Sequence, residues 1–335
     1  MTTVAVVGAT GAVGRTMLSI LEERGFAADS IRLAASERSA GTVVDTYLGA
    51  VEVEDLASID PSGIDIALFS AGGGRSKDHA PRFAAAGAVV VDNSSAFRMD
   101  ADVPLVVVGV NDAAVSAHRG IIANPNCTTM TLMMAAGPLH DAAGISSMVA
   151  TSYQSVSGSG HQGVTELIDQ QGPLGSDLDA LMTGGWVDPG PRLYERPIAF
   201  NVLPMAGNLV DAGYTDEEMK LVNESRKILA APDLLVEPTC VRVPVLVGHG
   251  VAATLFFDRP LDADEAMSIL SAAPGVEVWK DRTPTPLDCA GVDEVLVGRV
   301  RGTVSTAGGI NLWVVGDNLR KGAALNAVQI AELLI

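Results

Sequence analysis

The sequence predicts an α/β protein. A doubly wound parallel-sheet domain opens the chain, and a second region with antiparallel-sheet character follows it. Three observations carry this reading. An apolar β-branched run, "TVAVVG", leads into a glycine turn and a helical pattern at residues 3–25. Short apolar runs ending in small polar residues then recur up to "IIANPNC" at 121–127. After residue 128 the runs lengthen and begin to alternate.

In order, "TVAVVG" reads as a strand buried on both faces. In the helix after "GATGAVG", Met17, Leu18 and Leu21 are spaced for one face, and Gly25 ends it. Strands are expected at 30–36, within 64–73, within 86–98, over "VPLVVVGVN" at 103–111, and at 121–127. A helix follows from 128. Long strands are expected in "SSMVATSYQSVSGSG" and in "PTCVRVPVLVGHGVAATLFFD", the latter antiparallel. Residues 215–229 read as an amphipathic helix capped by Thr215 or Asp216. Residues 172–197 are rich in Gly and Pro and read as an irregular excursion. "DNLRKGAALNAVQIAELLI" closes the chain as an apolar helix.

Composition narrows the class. The chain has 335 residues, 48% of them hydrophobic and 19% charged, enough to build packed cores. No apolar run reaches the roughly 18 residues of a membrane span, and the N-terminus has no basic leader pattern. Three widely spaced cysteines suit neither a disulfide framework nor a metal cluster. The expected home is a reducing cytoplasm, and no metal site is expected. A net charge of −18 argues against nucleic acid or an anionic membrane as partner. It also repels phosphates at long range, so a phosphate site needs local cations.

Gly8, Gly11 and Gly14 stand three apart between a strand and a helix. Glycine lets a pyrophosphate approach the backbone, and the helix start offers unpaired N–H groups to it. The second strand runs into Glu37, Arg38 and Ser39. Arg38 and Ser39 can bind a 2′-phosphate, which favours NADP over NAD.

Cys127 follows a strand end and opens a helix, where the helix dipole favours a thiolate. Cys240, inside a strand, and Cys289, in a Pro-rich loop, read as buried structural thiols. A thiolate near a nicotinamide suggests aldehyde oxidation through a thioester, which needs a general acid/base. Of five histidines, His161 lies in a glycine loop and His249 lies seven residues after Arg242. A regular strand would put Arg242 and His249 on opposite faces. A bulge or bend at Gly248 would bring both to one site.

The series "GATGAVG", "SAGG" (70–73), "VDNSSAFR", "NPNCTT", "SYQSVSGSG", "EEMK", "RVPVLVGHG" and "DNLRKGAALNAVQ" resembles, in order and over nearly the whole chain, the motifs of aspartate-semialdehyde dehydrogenases. The resemblance implies Cys127 as acyl-thioester nucleophile and His249 as acid/base. Gln154 would orient the substrate, Arg242 hold its carboxylate and Glu217 its amine. Arg98, Lys220 and Asn126 would bind phosphate. Gly8, Thr10, Gly11, Ala12, Val13, Arg38, Ser39, Ser70, Gly72, Ser157, Gly158 and Asn318 would contact NADP. These types suit the chemistry: an amino-acid substrate needs a cationic and an anionic anchor, and phosphate needs a second cationic pocket.

The resemblance further implies a Rossmann NADP-binding domain, 1–127 with 318–335, completed by the C-terminal helix. A catalytic and dimerisation domain, 128–317, is inserted, and the protein is expected to be a homodimer. The implied reaction is reversible, NADP-dependent reductive dephosphorylation of aspartyl-4-phosphate to aspartate 4-semialdehyde and phosphate. It serves lysine, threonine and methionine biosynthesis. Two alternatives stay open. An N-acetyl-glutamyl-phosphate reductase shares the loop, Cys and His but has no use for Glu217. A non-catalytic NADP-binding sensor would need no reactive thiol.

Overall fold

The structure is a computed structural model that describes residues 1–190 and 193–335. The chain divides into two compact units. The first comprises Met1–Gly137, Asn223–Pro232 and Leu319–Ile335; the second comprises Pro138–Val222 and Asp233–Asn318.

The first unit opens with β1 (Thr3–Val7), α1 (Ala12–Glu23) and β2 (Ser30–Ala35). A hairpin follows, β3 (Val43–Thr46) and β4 (Gly49–Asp55). Then come β5 (Ile66–Phe69), α2 (Gly73–Ala85), β6 (Val89–Asp92) and β7 (Ile121–Ala123). Among the described residues these strands form one sheet in the order β3-β4-β2-β1-β5-β6-β7. Every pairing is parallel except the β3–β4 edge hairpin. The chain winds outward to one side of β1 and then to the other. This leaves a crevice beyond the carboxyl ends of β1 and β5, the usual ligand position in such sheets.

Valines and alanines fill β1 because both of its faces are covered. The core on one face joins Val4, Val6, Met17, Ile20, Leu33 and Leu68 to Leu325, Val328 and Ile330 of the C-terminal helix. The core on the other joins Val7, Phe69 and Phe83, whose rings meet edge to face.

The apolar run 103–111 does not form the expected strand. Only Leu105 bridges to the sheet, through Ala123. Side chains take up the backbone groups a ladder would have used. Asn111 accepts from Val107 N–H (2.8 Å) and donates to the Leu105 carbonyl (2.9 Å). Asn326 does the same for Val108 N–H (2.9 Å) and the Val106 carbonyl (2.8 Å). Buried amides are thus satisfied without a strand neighbour.

Helix α3 (Cys127–Ala143) follows β7. The second unit contains β8 (Ile145–Gln154), α4 (Gly160–Gly175), α5 (Leu178–Thr183) and the part of α6 (Asp216–Ile228) up to Val222, its later residues belonging to the first unit. It continues with β9 (Leu235–Arg242), β10 (His249–Phe257), α7 (Ala263–Ala272) and β11 (Val276–Trp279). It closes with α8 (Pro286–Cys289), β12 (Val295–Gly302) and β13 (Ile310–Gly316). Its sheet runs β11-β12-β13-β10-β8-β9 and is mixed, mostly antiparallel. After a π-helical turn at Arg320–Ala324, α9 (Leu325–Glu332) returns to the core of the first unit.

Three further expectations are corrected here. The run 146–160 is a strand only to Gln154, and Val156–Ser159 form a 3-10 turn. The single strand expected over 238–258 is two strands on opposite sides of β8. Of these, β10 is antiparallel to β8 but β9 is parallel to it. Pro244 has no N–H for a ladder, and Gly248 sits at φ +92°, so the run breaks at 243–248. The excursion at 172–197 includes the end of α4 and all of α5; Pro191 and Arg192 lie outside the described residues. In addition, Cys289 ends the short helix α8 rather than lying in a loop. The strands β12 and β13 had no counterpart in the sequence reading.

Candidate active site

In the first unit the glycine loop lines a cleft of 550 Å³. Gly8 has φ +88°, and a Cβ there would stand 2.3 Å from the Ser70 carbonyl oxygen. One at Gly14 would stand 2.2 Å from the Gly8 carbonyl oxygen. Only glycine fits, and the turn lies tight between β1, β5 and α1. Gly8, Thr10, Gly11, Arg38, Ser39 and Ser70, all expected cofactor contacts, line this one cleft. Thr10 Oγ1 donates to Ser39 Oγ at 3.3 Å, which joins the loop to the end of β2. Ala12 and Val13 begin α1 and Gly72 precedes α2; these three do not line the cleft. Arg75 does, and sequence reasoning missed it. Its signal was available: a cation in the first turn after "SAGG". The cavity, the backbone-only approach and the two arginines suit a dinucleotide with an extra phosphate.

Cys127 opens α3 and is half-buried. Asn126 caps that helix: its Oδ1 accepts from Thr128 N–H (2.9 Å) and Thr129 N–H (3.3 Å). Its own backbone N–H donates to Glu224 Oε2 at 2.7 Å. Glu224 Oε1 pairs with Arg98 Nη1 at 3.0 Å, and both side chains are buried. Arg98 also donates through Nε to the Asn124 carbonyl (2.9 Å) and through Nη2 to the Asn93 carbonyl (3.0 Å). The cation therefore fastens the loops after β6 and β7. Glu224 and Lys227 were missed, because charges on an amphipathic helix read as its solvated face. Lys227 Nζ in fact donates to the carbonyls of Arg98, Asp100 and Val103. Burial pushes the Lys227 pKa down, against the pull of Asp100 and Glu224.

In the second unit several expected residues come together. Gln154 and Arg242 end β8 and β9 as register partners. His249 begins β10 after the Gly248 turn, and the bend brings it to the side of Arg242 that a regular strand would have denied it. A Cβ built on Gly158 would stand 3.1 Å from Arg242 Nη1 and 3.2 Å from His249 Nε2, so the Gly158 backbone lies against both. Gln154 Nε2 donates to Glu217 Oε1 at 3.4 Å. Glu217 Oε2 pairs with Lys220 Nζ at 3.0 Å. Arg242 Nη1 donates to the Ser155 carbonyl at 2.8 Å, which fixes the guanidinium. Arg242 and Glu217, opposite in sign, line a cleft of 620 Å³. His161 lies exposed on the first turn of α4, outside this cluster.

His249 is fully buried. Its Nδ1 faces Ser155 N–H at 3.1 Å and Ser155 Oγ at 3.1 Å. Among the described residues its Nε2 has no hydrogen-bond partner. Burial, and then Arg242, push its pKa down to about 3, while Glu217 and the Gly248 backbone oppose. The ring is neutral at pH 7 and able to exchange a proton at Nε2. Asn318, expected to touch cofactor, accepts from Gly248 N–H (2.9 Å), Ser155 Oγ (3.1 Å) and Ser157 Oγ (3.3 Å) through Oδ1. Cys240 and Cys289 are buried, and desolvation pushes both thiols up to about 12. Among the described residues no helix is long and apolar enough to cross a membrane. Nor do three or more His, Cys, Asp or Glu gather to hold a metal ion.

Two family models match the chain. Residues 3–118 match the NAD binding domain of semialdehyde dehydrogenase, and residues 136–321 match its dimerisation domain. The chain is 54% identical to the aspartate-semialdehyde dehydrogenase of Corynebacterium glutamicum, covering 100% of both chains. It is 48% identical to aspartate-semialdehyde dehydrogenase 2 of Vibrio cholerae, covering 99% of this chain and 97% of that one. A crystal structure of the Vibrio cholerae enzyme II, complexed with ASA, superposes with a TM-score of 0.93 at 47% identity, covering 100% and 98%. A probable aspartate-semialdehyde dehydrogenase from Pseudomonas aeruginosa gives 0.91 at 34%, covering 99% and 98%. The chain belongs to the aspartate-semialdehyde dehydrogenases, a family of oxidoreductases.

Proposed function

We propose that the protein catalyses the reversible, NADP-dependent reductive dephosphorylation of L-aspartyl-4-phosphate to L-aspartate 4-semialdehyde and phosphate. The observation that carries this reading is the set Arg242 and His249 against Gly158, with Glu217 lining one cleft with Arg242 and bonded to Gln154. One fixed cation and one anion suit the carboxylate and amine of an amino acid, and a neutral imidazole stands beside them.

Cys127 is the nucleophile. Its sulfur attacks the acyl carbon, phosphate leaves, and an acyl-thioester remains on the cysteine. Its place at the start of α3, with Asn126 capping the helix, favours the thiolate. Gly8, Thr10, Gly11, Arg38, Ser39 and Arg75 would hold NADP, which when bound supplies or accepts the hydride. His249 Nε2 gives a proton to the oxygen of the tetrahedral adduct as the thioester is reduced, and takes it back in the reverse direction. Gln154 orients the reacting group. The resemblance gives phosphate to Lys220, Arg98 and Asn126; Arg98, neutralised by Glu224, would act by holding the turn that carries Asn126.

The cofactor-binding domain is residues 1–127 with 318–335, and the catalytic and dimerisation domain is residues 128–317. The enzyme works as a cytoplasmic homodimer in the synthesis of lysine (through diaminopimelate), threonine and methionine. Glu217 beside Arg242 argues against a substrate with an acylated amine.

The test is reduction of NADP by aspartate semialdehyde, with and without phosphate. Phosphate-dependent turnover is expected. Cys127→Ala should abolish it and leave NADPH binding intact. Retention of most of the rate by Cys127→Ala would refute the thioester route. Equal turnover of the N-acetyl-glutamate semialdehyde would refute the substrate.

A further inference from the structure

Two buried polar side chains on α4 take part in no step described so far. Glu166 and Gln170, 3% and 4% exposed, stand four apart on one face of the helix. Glu166 Oε2 accepts Leu193 N–H at 2.6 Å. Gln170 Oε1 accepts Ile198 N–H at 2.8 Å and Ala199 N–H at 3.2 Å. A backbone N–H only donates, so the Gln170 amide oxygen must face 198–199. Its Nε2 then faces Glu166 and donates to Oε1 at 3.0 Å. A carboxylate and an amide offer three oxygens and one NH2 group, and here every one of them has its counterpart.

The segment they hold is a wall of the cleft that contains Arg242 and Glu217. Residues 193–196 and 203–209 line that cleft. The far end of the segment pairs with Arg242 itself. Leu203 N–H donates to the Arg242 carbonyl at 2.9 Å, and Arg242 N–H donates to the Leu203 carbonyl at 2.8 Å. Between these anchors lies Phe200, exposed and at φ +57°. A bulky residue keeps left-handed backbone only where its neighbours hold it. Here Gln170 holds Ala199 on one side, and Arg242 holds Leu203 on the other. Loss of the Gln170 acceptor would thus loosen backbone four residues from the partner of Arg242. Arg196 is an exposed cation on the same wall.

We infer that Glu166 and Gln170 are positioning residues for substrate binding. They hold 193–203 as a wall of the amino-acid cleft, steady the Arg242 backbone through Leu203, and present Arg196 as a further cation to an anionic substrate. This rests on the reading of that cleft as the amino-acid site.

The experiment measures kinetics with aspartate semialdehyde and NADP, together with melting temperatures. It compares the protein with Glu166→Gln, with the exchange Glu166→Gln plus Gln170→Glu, and with Arg196→Ala. Glu166→Gln leaves two oxygens and two NH2 groups. Once Leu193 and residues 198–199 have their acceptors, the NH2 groups face each other, so a bond is lost whichever way the amides turn. Its KM for the semialdehyde should rise about fivefold or more, with kcat within about twofold and the KM for NADP unchanged, the pattern of lost substrate binding. The exchange restores three oxygens and one NH2 group with the roles reversed, and should recover most of that KM. Arg196→Ala alters an exposed side chain, so it should keep the melting temperature and raise the same KM about threefold, the scale of one exposed charge. A parent-like semialdehyde KM in Glu166→Gln would overturn the inference. So would an exchange variant no better than the single one, or an equal rise in KM for both substrates. An unchanged KM in Arg196→Ala would also overturn it, and decides the matter should Glu166→Gln fail to fold. No turnover by the parent protein would overturn the reading of the cleft and this inference with it.

Discussion

Glu224 Oε2 accepts the backbone N–H of Asn126 at 2.7 Å, one residue before Cys127, while Oε1 of the same carboxylate pairs with Arg98 at 3.0 Å. One buried anion thus sets the turn that presents the thiol and neutralises the cation fastened behind it. Replacing Glu224 by Ala leaves a buried guanidinium without its counter-charge, a loss of about 3–5 kcal/mol. Urea unfolding should show this loss, and the double variant Arg98→Met with Glu224→Met should recover a large part of it. A single variant as stable as the parent would remove the pair from the stability of this turn.

The three thiols should separate by rate. Cys240 and Cys289 are buried, and their thiols are pushed up to about 12, so neither forms thiolate at neutral pH. Cys127 is half-buried at a helix start. Iodoacetamide at pH 7 should label Cys127 first, by a factor of at least about ten, as peptide mapping would show. Labelling of Cys240 at a comparable rate would contradict the burial described above.

Gly158 offers a specific lesion. Its backbone is not in the left-handed region, so alanine is tolerated there by the chain itself. The added methyl would meet Arg242 Nη1 at 3.1 Å and His249 Nε2 at 3.2 Å. Gly158→Ala should therefore retain its melting temperature within a few degrees and lose roughly tenfold or more in kcat, since small displacements of positioned groups are costly. An unaltered kcat would mean that neither side chain needs its present place.

His249 links folding to acidity. Its pKa is lowered from 6.5 to about 3 in the folded protein, chiefly by burial. Between those values the unfolded chain takes up a proton that the folded chain refuses, so stability is full above about pH 6.5 and declines as pH falls toward 3. His249→Asn should flatten that part of the profile. Melting curves from pH 7 to pH 4 for both proteins would check it, and parallel curves would count against a buried neutral ring.

Much of this was legible in the sequence where one local rule governs. The strand, glycine turn and helix at 3–25 follow from β-branched runs and glycine sterics, and β1, Gly8 and α1 stand where expected. Cys127 could be placed because a strand end and a helix start are both local signals. What escaped depended on partners distant in sequence. Residues 103–111 have the composition of a strand, but Asn326, more than 200 positions later, takes their amides. Arg242 and His249 could not be assigned to one side without knowing that Pro244 and Gly248 break the run between two strands. Glu224 resembled any charge on an amphipathic helix until Asn126 was seen to donate to it.

Helix α9 supplies Leu325, Val328 and Ile330 to the apolar centre around β1, and Asn326 to the amides of 106–108. Those residues leave the ribosome after every strand of both sheets. During synthesis β1 and α1 therefore wait, uncovered on one flank, until α9 emerges. Until then the nascent chain is most open to chaperone capture or aggregation through that flank, and loss of α9 would cripple the core built around β1.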